Sequence, residues 1–97
     1  VKYPKQGEKV ARNVVGARIR KARLAFNPPL TQDQLSGRLA AKGGNLDRVA
    51  ITKIECWQRC VFDFELPLLA EVLRVDVRWL LGMQETGGPA QKERRGE

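Results

Sequence analysis

The sequence predicts an all-α domain of five short helices, and three observations predict it. Apolar residues recur at helical spacing in five successive segments. Most of those segments open on a capping side chain and close on glycine or proline. No segment alternates with the period of a strand, and no internal repeat appears. With 97 residues, 42% of them apolar, the chain can bury one modest core.

Val15, Ile19, Ala22 and Phe26 fall on one helical face, predicting a first helix that begins at Val10 or Asn13. Asn27-Pro28-Pro29 stops it, because the residue before a proline is pushed out of the helical region. Thr31 with Gln34 three residues later makes a capping-box pattern for a second helix. Leu35 and Leu39 form its stripe, and Gly43 or Gly44 supplies a left-handed stop. Asp47 caps a third helix, whose inward residues are Ile51 and Ile54 and which runs to Glu55 or Trp57. A fourth is expected from Asp63, with Leu66, Leu69, Ala70 and Leu73 on one face and Pro67 near its start. Asp76 caps a short fifth containing Trp79, Leu80 and Leu81, stopped by Gly82. The organisation is a basic, mobile arm over 1–12, a helical domain over 13–82, and a tail over 83–97 with nothing to bury.

Charge is the first pointer to function. The net charge is +7, and its excess lies in the first thirty residues. Lys2, Lys5, Lys9, Arg12, Arg18, Arg20, Lys21 and Arg23 stand there against Glu8 alone. A surplus gathered at one end suits a polyanionic partner, nucleic acid before an acidic membrane surface. No segment approaches the ~20 continuous apolar residues of a membrane span, and the basic start has no apolar run behind it to make a secretory signal. The chain contains no histidine, no Gly-rich phosphate loop and no paired carboxylates, so no reaction is nominated and no enzyme is expected. Cys56 and Cys60 cannot complete a tetrahedral zinc site between them. No metal and no cofactor are expected, the thiols are read as reduced, and the cytoplasm is the expected compartment.

Leu30-Thr31-Gln32, Gln34-Leu35, Leu39-Ala40, Ala50-Ile51-Thr52-Lys53-Ile54-Glu55, Leu69-Ala70, Leu73, Val75 and Trp79-Leu80-Leu81 together resemble the Xre-type, phage Cro and repressor-like, helix-turn-helix family. The resemblance covers about residues 14–82. It implies a five-helix repressor-like fold that binds double-stranded DNA as a transcriptional regulator, as a homodimer on a two-fold site. Under it, Gln32 opens the second helix at a phosphate-contact position. Arg48, Val49, Thr52 and Lys53 match positions that face the major groove. Arg23 and Glu55 match an ion pair that orients the third helix, and Arg59 stands as a phosphate contact just past that helix.

The spacing agrees with the match at the third helix. With Ile51 and Ile54 turned inward, residues 48, 49, 52 and 53 group on the opposite side. Arg48 and Lys53 can donate to guanine O6 and N7, and Val49 and the Thr52 methyl can meet a thymine methyl. The plainer alternative is a solvated charged face, an ordinary first-turn glutamine at Gln32, and unpaired surface charges at Arg23 and Glu55.

Two features depart from the family. The turn from Ala41 to Leu46 is about five residues longer than the tight one, counted against the two-helix plan. Trp57 stands where the family has glycine. A left-handed tryptophan would be strained, so the helix is expected to end differently or run on, with the indole packed on the core or its rim ahead of a dimer interface or the DNA. Trp79 is expected in the core. The competing function is a protein-interaction module on the same scaffold, such as an antitoxin or adaptor.

Overall fold

The computed structural model describes residues 12–89, and within them the chain is a five-helix all-α domain. Helix α1 spans Gly16–Leu24, α2 Gln32–Ala41, α3 Arg48–Glu55, α4 Glu65–Leu73 and α5 Val77–Leu80. No strand occurs among the described residues. None of the helices there is long and apolar enough to cross a membrane. Apart from Arg12, the basic arm lies outside the described residues, as do residues 90–97 of the expected tail.

Local chemistry accounts for most helix ends. The Thr31 hydroxyl accepts from Gln34 N at 3.0 Å, and Gln34 Oε1 accepts from Thr31 N at 2.9 Å, closing the capping box of α2. Helix α2 ends on Gly43 at φ +88°, with Gly43 N donating to Ala40 O and Gly44 N to Leu39 O. Asp47 caps α3 by accepting from Ala50 N at 2.8 Å, and Asp76 caps α5 by accepting from Arg78 N. Arg78 also holds the Asp76 carboxyl below the ordinary carboxylate range, first through its guanidinium and then through its backbone N–H.

Two starts differ from the sequence reading. Helix α1 begins at Gly16 because the Asn13 side chain turns the chain just before it, accepting from Val15 N and Gly16 N. Phe26 accordingly lies beyond α1, half-buried on the core with the Arg38 guanidinium over its ring. Helix α4 begins at Glu65 rather than Asp63. Residues 63 and 64 form a turn, and the Glu65 carboxylate reaches back to accept from Phe62 N at 2.9 Å. At the other end of α4, Arg74 takes the left-handed conformation without a glycine to signal it.

The core lies where the helices converge. Val15, Ile19 and Ala22 of the α1 region meet Leu35 and Leu39 of α2, Ile51 and Ile54 of α3, Leu69 and Leu73 of α4, and Trp79 and Leu80 of α5. Leu30 and Leu46 close it from the connecting segments. Burial of these side chains is the main stabilising term, about 1.5–3 kcal/mol for each large one before chain entropy is set against it.

Residues 83–89, the described part of the expected tail, make contacts with the helical domain. Gly87 O accepts from Asp76 N at 2.8 Å, and Arg18 pairs with Glu85 at 3.1 Å. The backbone at Gly88 lies so close to the Trp79 indole that an added Cβ would sit 2.7 Å from it. These are polar and main-chain contacts between distant segments, which hydrophobic periodicity does not register.

Candidate nucleic-acid interface

The geometry of the site is set from behind by Arg23. Its guanidinium forks onto Glu55, with Nε to Oε2 at 2.8 Å and Nη2 to Oε1 at 2.9 Å. The remaining Nη1 donates to Leu30 O at 2.9 Å. The two side chains are 10% and 4% exposed, so this is a buried pair whose hydrogen-bonding partners are supplied internally. It joins α1, the segment leading into α2, and the last residue of α3.

Gln32 extends the network outward. Its Nε2 donates to Glu55 Oε1 at 3.0 Å, and its Oε1 accepts from the Thr52 hydroxyl at 2.8 Å. The Thr52 hydroxyl also lies 2.9 Å from Arg48 O, one turn earlier in α3. Gln32 thereby ties the first turn of α2 to the outer face of α3. What it presents to an anion is the N-terminal end of α2, whose first-turn N–H groups have no intrahelical acceptor. With its hydroxyl engaged, Thr52 has its methyl to offer to an apolar group.

The outer face of α3 carries Arg48, Val49, Thr52 and Lys53, all exposed, as the inward turn of Ile51 and Ile54 requires. Val49 is 56% exposed, an apolar side chain in the middle of a polar surface. Arg48 approaches Asp33 of α2 at 3.9 Å, with both side chains well exposed, a contact too open to hold the guanidinium in place.

Arg59 stands apart from this face in its bonding. Its guanidinium donates to Glu65 at 3.1 and 3.2 Å and to Cys60 O at 2.7 Å, and it lies over the Phe62 ring. Glu65 is buried and depends on this partner. A phosphate at Arg59 would compete with a carboxylate already in place.

Trp57 corrects the expected end of α3. It adopts φ +64°, the left-handed conformation that favours glycine. Trp57 N donates to Ile54 O at 3.1 Å and Gln58 N to Lys53 O at 2.7 Å, the paired bonds that close a helix on a left-handed residue. The helix therefore ends at Glu55 on a left-handed tryptophan instead of running on. The strain of a left-handed tryptophan is offset by those bonds and by contacts on the rim. Its indole edge packs toward Gly16 while half of the residue stays exposed.

Two features of the region escaped the sequence reading. Asn13 Nδ2 donates to Ile54 O at 3.0 Å and Arg59 O at 2.9 Å, fastening the start of α1 to the exit of α3. An asparagine just ahead of a helix is the available signal for half of this role, the turn its oxygen closes with Val15 N and Gly16 N. Phe62 and Phe64 stack with centroids 5.6 Å apart, both exposed. They border a groove of about 260 Å³ lined also by Leu39, Gly44, Leu46 and Leu68. Cys56 and Cys60 are both exposed free thiols.

No protein-family model, curated protein or solved structure matches the chain.

Proposed function

We propose that this chain is a sequence-specific double-stranded-DNA-binding transcriptional regulator of the repressor-like, Xre type, of a prokaryote or phage, with α3 reading the major groove. The observation that carries this reading is the exposed set Arg48, Val49, Thr52 and Lys53 on a helix held from behind by the Arg23–Glu55–Gln32 network. A reading helix must present donors and methyl groups at a fixed orientation, and this arrangement supports both requirements. The N-terminal end of α2 at Gln32 is the phosphate contact in this reading. Arg59 contributes by holding the segment after α3 through Glu65, and any phosphate contact it makes comes second.

In this reading the protein works in the cytoplasm as a homodimer, without metal or cofactor and without catalysing a reaction. Its two α3 helices enter successive major grooves about 34–36 Å apart. Selection from random duplexes tests the proposal. An enriched inverted repeat with half-sites one helical turn apart is the expected result, with affinity falling steeply as salt rises. Failure to enrich any sequence would overturn it.

The competing reading, a protein-interaction module such as an antitoxin or adaptor, is favoured by one observation: the stacked and exposed Phe62 and Phe64. Its mark would be a chain that retards no duplex at low salt and loses a protein contact on replacement of both phenylalanines by serine.

A further inference from the structure

We propose that Asn13 is a positioning residue for α3: its side-chain amide pins the exit of α3 to the start of α1 and so sets the angle at which α3 meets a duplex. The role in DNA binding rests on the function proposed above; the pin itself does not.

A side-chain amide offers two donor hydrogens and an oxygen with two lone pairs. At Asn13 all four are used. Oδ1 accepts from Val15 N at 3.2 Å and Gly16 N at 2.7 Å, and Nδ2 donates to Ile54 O at 3.0 Å and Arg59 O at 2.9 Å. The chemistry of the partners fixes which way the amide lies, since two N–H groups need oxygen and two carbonyls need nitrogen. The Ile54 carbonyl, in the last turn of α3, accepts from Trp57 N as well, so the Asn13 amide takes its second lone pair. The Arg59 carbonyl lies beyond the left-handed turn at Trp57. One side chain therefore grips both sides of that turn.

The neighbourhood is built for this contact. A Cβ added at Gly16 would overlap the Ile54 carbonyl oxygen and come within 2.8 Å of the Trp57 indole, so only glycine lets α1 start this close to the end of α3. Arg12 N adds a bond to Trp57 O at 3.3 Å.

The Arg23–Glu55 fork and the Gln32 bonds hold α3 from the far end of α1 and from α2. Asn13 attaches the adjacent residue, Ile54, from the opposite end of α1. The exit of α3 is thereby held from both ends of one helix.

Asn13→Ser separates the two halves of the role, because a serine hydroxyl can accept from turn N–H groups two and three residues on but cannot span two distant carbonyls. The full chain is compared with wild type by acrylamide quenching of tryptophan emission, where Trp57 is the exposed reporter and Trp79 the buried one. Affinity is then measured for the duplex that wild type selects. The expected result is stronger quenching of the Trp57 component, an unchanged Trp79 component, and about a tenfold loss of affinity, the worth of roughly one hydrogen bond. Should the serine variant not fold, Asn13→Asp keeps the acceptors for Val15 N and Gly16 N and carries the same two measurements.

Unchanged Trp57 quenching overturns the pin, and if affinity falls with quenching unchanged, Asn13 acts on the duplex directly and not by positioning. Increased quenching with wild-type affinity overturns the positioning role. A wild-type chain that binds no duplex overturns the DNA reading by itself, while the quenching comparison still decides the pin.

Discussion

Arg23 and Glu55 face each other as a closed fork, two nitrogens on two oxygens at 2.8 and 2.9 Å, in a site almost free of solvent. Truncating one partner would strand the other charge in the interior. Arg23→Ala should therefore cost about 3–5 kcal/mol of stability, while Arg23→Lys keeps the charge but loses the fork. The lysine variant should fold, melt lower, and bind its duplex more weakly even though Arg23 touches no base. Thermal melts paired with retardation assays check this, and wild-type melting and affinity in both variants would remove the pair from any orienting role.

Arg48→Ala and Lys53→Ala should each relax base preference at one or two positions of the selected site, at a cost of about 1–3 kcal/mol there. Repeating the selection with each variant reads the outcome directly. Preferences identical to wild type in both would show that α3 is not the reader.

Gln32 donates to a carboxylate that Arg23 already engages, so its replacements should rank by charge. Gln32→Ala should cost about 1–2 kcal/mol for the two lost bonds, to Glu55 and Thr52, and Gln32→Glu more, since it sets a second carboxylate against Glu55. Chemical denaturation at neutral pH measures the gap.

Trp57 offers a direct reading of backbone strain. Trp57→Ala and Trp57→Gly both remove the indole, but only glycine takes φ +64° without a Cβ penalty. The glycine variant should be the more stable of the two by about 1–2 kcal/mol. Equal melting temperatures would mean that the chain leaves the left-handed conformation once the indole is gone.

At the cap of α5, Asp76 has its carboxyl held low by the Arg78 guanidinium and backbone N–H. A depressed folded-state value means that the contribution is present above the ordinary carboxylate range and fades as pH falls through the folded value. Asp76→Asn should remove that part of the acid-side decline in melting temperature and leave the alkaline side unchanged.

Helix ends were legible where the signal is local. Thr31 with Gln34, Asp47 with Ala50 and Asp76 with Arg78 each act within three residues, so the pattern alone locates them. The start of α4 was misplaced because Asp63 reads as a cap, whereas the Glu65 carboxylate is the group that satisfies Phe62 N.

By itself, then, the sequence determined five helices, their inward stripes, and the grouping of Arg48, Val49, Thr52 and Lys53 on one face, because helical period couples residues three and four apart. Pairing Arg23 with Glu55 was suggested only by likeness to a family; the bonds themselves belong to the folded chain. Tertiary structure alone decided that Trp57 turns left-handed, that Arg59 is held by Glu65, that Asn13 bridges two helices, and that Gly88 lies on Trp79. Most of these depend on a carbonyl, a carboxylate or a ring brought up from another segment of the chain. Hydrophobic period records how often a side chain turns inward, and is silent on which polar atom it will meet there.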